Sequence, residues 1–516
     1  MKAHLRGLAA VVAMMAFLPA VGSAQSAPSP ALPDVYKLSL EDAVRLALEN
    51  NVDIQVEKMN PELSALTVTQ AEGAYDPFLT GQLSRSGATS PSSNTFTGAD
   101  KSVTDTWLYN LGVSQAVKTG ATLSLTWNNN RQTTDSLINT YNPSLNSTFS
   151  LGVNQPLLRN FKVDSSRQQL RIAKKNREIS DVQFKQAVVN TISTVKKSYY
   201  DYIFSIDNLA VAQRNLTLAQ KLQNENEIKV KVGTMAPLEV VSAKAEVASR
   251  EEGVIVAESA VRDAEDMMRR LLFPSNDERL WSIAIQPTDR PTAEPFPVDI
   301  LGAVKRALSD RTDVVAARLR LEQSQFSVQY ARNQSLPGLD LGASYGGNGL
   351  GGTHVVRDGI GGPVISQTET GWGSVYGDVF GFNFPTWVVR INASYAIRNR
   401  SAKAAHAEAQ VSKRQAETSL RRLELLVATE VRSTGRAVET NFKRVASTQA
   451  ARVLAEQRLD AEEKKFAAGM TTNFQVTQAQ RDLAQAQVNE IRAVLDYRKS
   501  QVDFQRSQEA SAGGGF

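Results

Sequence analysis

Hydrophobic positions recur with two different periods in separate parts of the chain. Between residues 188 and 209, apolar side chains return every three or four residues, an average of about 3.5, which predicts a helix with a coiled-coil seam. The seam consists of Val188, Ile192, Val195, Tyr199, Ile203, Ile206 and Leu209. The surrounding segment from Ser165 to Val232 contains no Gly or Pro. We therefore expect one continuous helix, roughly 100 Å long at about 1.5 Å per residue.

Two long helical hairpins follow from this pattern. The first long helix is turned at Gly233–Pro237, and a return helix is predicted from Leu238 to about Leu272, where Pro274 stops it. A second long helix is predicted over Ser401–Ala468. It is turned at Gly469 and returns from Asn473 to about Gln508. Helices of this length are far above the average for globular domains.

Elsewhere apolar and polar residues alternate one by one, which predicts β-strands with one apolar face. The candidate strands are Phe78–Leu83, Trp107–Val113, Ala121–Trp127, Thr148–Val153, Leu339–Tyr345 and Val388–Ile397. A long Gly-rich stretch, ending at Gly377, follows the fifth of them. The pattern alone fits either a soluble sandwich or the wall of a membrane barrel.

Short helices precede the strands. Ser39 is a predicted N-cap, with Glu41 and Asp42 in the first turn of the helix. Pro61 is predicted to start a second helical stretch, which ends before Gly73.

The chain contains a tandem duplication. The segment Leu40–Leu48 is echoed by Val298–Leu308, and at the same offset Pro77 corresponds to Pro337. A duplication of this length predicts two similar structural units. We place the first repeat at residues 38–286, a Pro-rich linker at 287–297 and the second repeat at 298–508.

The two ends of the chain are predicted to be a signal peptide with a flexible leader and a flexible tail. Lys2 and Arg6 precede an apolar run from Leu8 to Val21 and a small-residue cleavage site, which together predict a signal peptide over residues 1–24. Residues 25–37, rich in Pro, Ser and Ala, are predicted to be a flexible leader, and residues 509–516 a flexible tail.

Composition argues against catalysis. The chain has no Cys and three His, and one of these lies in the predicted signal peptide. Thiolate sites, hydrolytic triads and common transition-metal sites therefore have almost no ligands, so we expect neither enzymatic activity nor a cofactor or metal. The net charge of +5 is spread along helices that also carry Glu, which favours solvated helix faces over nucleic-acid binding.

The sequence resembles the TolC family of outer-membrane efflux proteins over nearly all of the mature chain. The resemblance rests on the opening motif Leu40–Asn51, on Gln155–Leu158 where strand passes into long helix, and on its counterpart Asn399–Ala402. The two Gly-containing helix turns add to it. Each motif alone is weak, whereas together, in order and duplicated, they are specific.

The resemblance implies an α+β membrane protein that works as a homotrimer. Each protomer, built from two tandem repeats, would add strands to one outer-membrane β-barrel and long helices to one α-helical barrel that crosses the periplasm. The expected function is an exit duct to the cell exterior, serving an efflux pump or a type I secretion system. The expected partners are a periplasmic adaptor protein, an inner-membrane transporter and outer-membrane lipid. The first half offers four strands where two are usual, and extra barrel strands or a long external hairpin would both fit.

The resemblance also implies site residues at the helix turns. The adaptor-docking tips would be Val232, Gly233 and Thr234, together with Gly469, Met470 and Thr471. The periplasmic gate would involve Glu239, Gln475 and Gln478, and the two Gln residues stand where the family prototype has an acidic ring. Phe466 and Thr471 replace a Tyr and an Arg of that prototype.

Two other functions compete with the duct. A periplasmic coiled-coil scaffold without channel activity would explain the helices, with the strands forming a small soluble domain. An envelope enzyme comes third, because no catalytic constellation is visible. The alternating strands with aromatic ends favour the duct.

Overall fold

The computed structural model describes residues 35–91, 100–273, 281, 283–359 and 362–508. The predicted signal peptide, most of the predicted leader and the predicted tail lie outside the described residues. The leader prediction is wrong for its last residues, because Val35–Leu38 forms a strand, β1. This strand pairs in parallel with β6, Ala284–Pro287, and Leu38 is completely buried. Burial and main-chain pairing hold these residues in place.

Each α-helix of the first half has a counterpart of closely similar length, in the same order, in the second half, which also contains one further short helix among the described residues. The first half contains α1 Leu40–Asn50, α2 Val52–Glu72, α3 Ser165–Lys231 and α4 Pro237–Leu272. The second half contains α5 Ile300–Asp310, α6 Thr312–Gln334, α7 Trp372–Phe380, α8 Arg400–Ala467 and α9 Asn473–Gln508. The long helices α3 and α8 have 67 and 68 residues, and the return helices α4 and α9 have 36 each. None of the described helices is apolar enough over a sufficient length to cross a membrane.

The remaining strands, which differ in length, form one antiparallel sheet. They are β2 Phe78–Pro91, β3 Lys101–Ala116, β4 Thr122–Thr134, β5 Tyr141–Pro156, β7 Gly338–Arg357, β8 Val364–Thr370 and β9 Pro385–Ser394. Their order is β2-β3-β4-β5-β7, and β8 and β9 both pair with β7, at its C-terminal and N-terminal parts respectively. Strands β2 to β5, the four predicted for the first half, therefore lie in the same sheet, and the fold is α+β as predicted.

Local sequence explains where the helices begin. Ser39 accepts a hydrogen bond from the Asp42 amide, and Asp164 accepts one from the Arg167 amide at 2.8 Å. The prediction that Pro61 starts the second helix is wrong, because α2 begins at Val52 and Pro61 lies inside it. Asn51 provides the cap by accepting from the Ile54 amide. The helix around Pro61 is exposed, so water can satisfy the carbonyl that the proline leaves without a donor.

The Gly-rich stretch is ordered secondary structure rather than a separate irregular segment. Strand β7 continues through it to Arg357, and helix α7 packs against its glycines. A Cβ atom at Gly347 or Gly349 would come within 2.3 Å of a carbonyl oxygen of α7. The absence of side chains on this part of β7 therefore makes room for α7, whose Val375 and Val379 are completely buried.

The principal core lies where the short elements meet the middle of the long helices. Tyr199 and Tyr202 of α3 are buried there among residues of α1, α4 and α9. Their hydroxyl groups donate to the main-chain carbonyls of Leu38 (2.9 Å) and Ile285 (2.5 Å), one in each strand of the β1–β6 pair. These two bonds attach the small parallel pair to the long helix.

Candidate functional site

One face of the large sheet carries a band of exposed apolar side chains. Strand pairing places odd-numbered residues opposite odd-numbered residues from β2 to β9, so that they share a face. Exposed apolar side chains on this face are Leu79, Leu83, Leu111, Val113, Leu123, Leu151, Val153, Val389 and Ile391. These residues lie on β2, β3, β4, β5 and β9, and an exposed apolar band of this kind is what a lipid-facing barrel wall requires.

Aromatic residues lie beside this band and contact α7 and the segment that follows it. Trp127 packs edge-on against Tyr376 and Phe380 of α7, with ring centroids 5.2 and 5.7 Å apart. Tyr345 lies 5.3 Å from Phe382. Helix α7 therefore rests on the apolar face, and the aromatic cluster resembles the girdles found at membrane interfaces.

The opposite face of the sheet is polar and almost uncharged. Its even-numbered positions carry mainly Ser, Thr, Asn and Gln, several of them hydrogen-bonded across strands, as between Asn146 and Asn130 at 2.9 Å. Of the Asp, Glu, Lys and Arg residues in the described strands from β2 to β9, two lie at even positions, Asp340 and Arg390. Such a face is suited to contact with water.

Both sequence-predicted tips are helix ends closed by a left-handed glycine. Gly233 has φ +79° and Gly469 has φ +73°. At the first tip, Gly233 and Thr234 donate to the carbonyls of Val230 and Lys229, at 3.0 and 2.9 Å. This pair of bonds is the Schellman motif.

The second tip repeats this geometry. Gly469 donates to the Phe466 carbonyl at 3.2 Å, and Met470 donates to the Lys465 carbonyl at 2.8 Å. No other group lies within 4 Å of the position that a Cβ would take at either glycine. Both turns are thus held by main-chain bonds and project freely.

The tips expose apolar side chains. Val232 and Met470, which flank the glycines, are 67% and 77% exposed. Leu238 and Phe474, at the starts of the two return helices, are 72% and 66% exposed. Exposed large apolar groups gathered at a projecting end are typical of a surface that contacts a partner.

Behind the tips, a small apolar cluster joins the two hairpins. Its buried residues are Leu222, Leu459, Phe466, Val476, Ala479 and Leu483. Lys229 Nζ donates to the Phe466 carbonyl at 3.2 Å and lies 3.5 Å from the centroid of the Phe466 ring. Phe466 is therefore a packing residue. Thr471 donates to Glu462 at 3.0 Å, within the same hairpin.

The structure places the predicted gate residues in different environments. Glu239 accepts a hydrogen bond from the Asn473 side chain at 3.1 Å, which links the starts of the two return helices. Gln475 is exposed, whereas Gln478 donates to Asp482 at 2.8 Å. Within one protomer, no hydrogen bond among the described residues joins Glu239 to either Gln.

A buried ion pair between the return helices was not predicted. Glu246 of α4 is 9% exposed and binds both Arg250 of its own helix, at 2.7 Å, and Arg481 of α9. Burial alone would raise the pKa of Glu246, but the hydrogen bonds and charges of Arg481 and Arg250 outweigh it, and the pKa is lowered. The Glu246–Arg250 spacing is visible in the sequence. The pairing with Arg481 is not, because the two residues are distant along the chain.

Metal chemistry finds no support in the described part of the chain. No group of three or more His, Cys, Asp or Glu side chains is arranged there to hold a metal ion.

Comparison with known proteins identifies the family. A model of the outer membrane efflux protein family matches residues 117–272 and 303–507. The chain belongs to this family. The prediction of an outer-membrane efflux duct is thereby confirmed, and nothing in the comparisons favours the scaffold. Family members of this kind are channels rather than enzymes. No curated protein sequence matches the chain.

Solved structures of outer-membrane channels share the fold of this chain. The outer-membrane channel OprN is 18% identical, with a TM-score of 0.67, over 92% of this chain and 90% of that chain. The CmeC outer membrane channel of Campylobacter jejuni is 17% identical, with a TM-score of 0.65, over 91% and 85%. The open state of the Neisseria gonorrhoeae MtrE outer membrane channel is 16% identical, with a TM-score of 0.61, over 92% and 89%.

Proposed function

We propose that this efflux protein acts as a homotrimeric duct that spans the outer membrane and extends into the periplasm. Three sheets would close one β-barrel, and the long helices α3, α4, α8 and α9 of each copy would form one water-filled helical barrel. The observation that carries the proposal is the two-faced sheet, apolar on one side and polar on the other. A lipid bilayer cannot satisfy the open edges of such a sheet, so closure requires further copies.

The tandem organisation supports the same assembly. We assign residues 38–286 and 298–508 to two repeats joined by 287–297, because matched helices from the two halves would line the wall at regular intervals. The nearly equal lengths of α3 and α8 allow both hairpins to reach the same distance from the membrane.

The helix tips are the proposed docking site for a periplasmic adaptor protein, which would connect the duct to an inner-membrane transporter. The site comprises Val232, Gly233 and Thr234 at one tip and Gly469, Met470 and Thr471 at the other. Their exposure and their projection support this role.

The periplasmic gate is proposed to involve Glu239, Gln475 and Gln478. Neutral Gln side chains would give this end weak cation selectivity, since threefold symmetry reinforces a charged ring but not an amide ring. Single-channel conductance should therefore be little reduced by a trivalent cation added on the periplasmic side. Strong block that is abolished by Glu239→Gln would place the constriction at Glu239.

Extraction and sizing test the proposal as a whole. The protein should be recovered from outer membranes in mild detergent, with a mass three times that of the mature chain. A soluble periplasmic monomer would overturn the duct and favour the scaffold.

A further inference from the structure

The six-strand width of the sheet has a consequence for the assembled barrel. Across the sheet, the strand positions are β2, β3, β4, β5, β7 and a sixth that is shared by β8 and β9. We infer that three copies close an eighteen-stranded barrel, in which β2 of one copy pairs with β9 of the next, and that its lumen is wide and nearly uncharged. The inference rests on the proposed trimeric duct.

Strand direction supports this closure. Every pairing from β2 to β9 is antiparallel, so the first and sixth positions run in opposite directions. When β9 of one copy meets β2 of the next, the antiparallel alternation continues without interruption. An odd number of strands in each copy would force a parallel pair at each junction.

The two faces also match across the junction. Even positions are polar on both edge strands, as at Thr80 and Gln82 of β2 and Thr386 and Asn392 of β9. Apolar residues occupy odd positions on both edges, as at Leu79 and Leu83 of β2 and Val389 and Ile391 of β9, so pairing even with even continues the apolar band around the barrel. Helix α7 lies on the apolar side and leaves the polar side open.

Barrel width follows from strand number. With strands about 4.8 Å apart and tilted by about 40°, eighteen strands give a backbone diameter of roughly 36 Å, against roughly 24 Å for twelve. Barrels of 16–18 strands leave an aqueous channel. Because each copy contributes one Asp and one Arg to the polar face of β2 to β9, this lumen should admit large hydrated solutes without selecting their charge.

Disulfide cross-linking tests the junction, and the chain contains no native Cys to interfere. Gln82→Cys on β2 would be combined in turn with a Cys on β9. The even β9 positions are Thr386, Val388, Arg390, Asn392 and Ser394. At least one combination should give covalently linked dimers and trimers, because side chains paired across strands come within disulfide range. Within one copy the two strands lie at opposite edges, roughly 24 Å apart at about 4.8 Å per strand, so a link must join two copies.

The matched control places the β9 Cys at Trp387, Val389 or Ile391, on the opposite face from Gln82. These combinations should not cross-link. A membrane-inserted trimer that cross-links at none of the even positions would overturn the eighteen-stranded closure and leave the duct standing. Failure to form a membrane trimer with the unsubstituted chain would overturn the proposed function itself.

Width is tested from the cell exterior with Thr148→Cys, on the polar face of β5. Polyethylene-glycol maleimides of increasing mass would be added to intact cells, and labelling read as a gel shift. Replacing residues 92–140 by Asn-Gly removes β3 and β4 and joins β2 to β5 in the existing orientation, leaving twelve strands in the trimer. The full-length barrel should accept larger reagents than this variant. Equal size limits would overturn the inference, and if the variant fails to insert, the cross-links decide.

Charge selection is tested at the same Cys. Positively and negatively charged methanethiosulfonates should label Thr148→Cys at rates within about threefold, after correction for their reaction with a free thiol. A preference of about tenfold for either sign would overturn the neutral lumen.

Discussion

Replacing the tip glycines by Ala should weaken the two turns, while the same change elsewhere should strengthen the protein. Gly233 and Gly469 adopt positive φ, which L-residues with a Cβ disfavour. Gly253 lies inside helix α4, and a Cβ there would meet nothing within 4 Å. The three positions offer equal space and differ in backbone conformation, so Gly253→Ala is the matched control.

The expected magnitudes follow from that difference. A left-handed Ala costs roughly 1–2 kcal/mol, and no contact at either tip adds to this or offsets it. A helical Ala in place of Gly gains roughly 0.5–1 kcal/mol. Since about 1.4 kcal/mol corresponds to tenfold, each tip substitution should speed opening of its turn by roughly 5- to 30-fold, and Gly253→Ala should slow opening of α4.

Hydrogen exchange read by mass spectrometry on the detergent-solubilised trimer measures this directly. The amides of Thr234 and Met470 report on the turns, because each donates one of the two bonds that close its helix. Peptides covering the sheet serve as an internal reference and should not change. Export should fall in the double tip variant if the turns dock a partner.

Unchanged exchange at Thr234 in Gly233→Ala would refute the assignment of the left-handed turn. Faster exchange in Gly253→Ala, of the same size as at the tips, would show that the effect comes from adding a methyl group rather than from backbone conformation. Altered tip exchange with normal export would leave the turn geometry intact and refute the docking role.

Three further predictions concern buried polar contacts. Arg481→Gln leaves Glu246 paired with Arg250 alone. It should lower the local stability of α4 around Glu246 by about 1–2 kcal/mol, measured as faster hydrogen exchange there. The loss is smaller than for a fully buried pair because Arg481 is partly exposed. Because the pKa of Glu246 is lowered, its ion pairs contribute fully to stability above the ordinary pKa of Glu. This contribution is lost as the pH falls through the lower pKa that Glu246 has in the folded protein. Exchange across α4 and α9, corrected for intrinsic rate, should therefore be constant from about pH 8 to 5 and rise only below about pH 4.5. Tyr202→Phe removes the donor to the buried Ile285 carbonyl and should cost about 1–3 kcal/mol, measured as faster exchange in β6. The control is Tyr200→Phe, because the Tyr200 hydroxyl makes no hydrogen bond to this carbonyl within the described part of the chain.

The long helices could be predicted almost to the residue because their ends are encoded locally. Gly233 and Gly469 stop helices through the left-handed conformation, and Pro237 begins α4 because its missing amide costs nothing in the first turn. Pro61 misled the prediction, since a proline in the exposed middle of a helix carries the same local signal as one at its start. The cap that decides the true start is Asn51.

Features built from distant residues could not be predicted. The sequence predicts strand β7 only as far as Tyr345, because the glycines that follow have no strand preference of their own. In the structure these glycines leave room for α7 to pack on the strand. Whether strands β2 to β5 share one sheet with the strands of the second half depends on the pairing of β4 with β5 and of β5 with β7, which periodicity does not reveal. The contact between Glu246 and Arg481 depends likewise on how the two hairpins lie together.

Because main-chain hydrogen bonds close the tips, the demand for a stable turn is separate from the demand for a particular surface at the tip. Because hydrogen bonds between backbone atoms hold each turn, the side chains of Val232 and Met470 are not needed to maintain it. Under the proposed docking role, substitutions there would alter what the tip recognises without disturbing how the hairpin folds. A lineage, or a laboratory library, would then exchange one partner for another through single changes at these positions, and the glycines beside them are the residues that must stay.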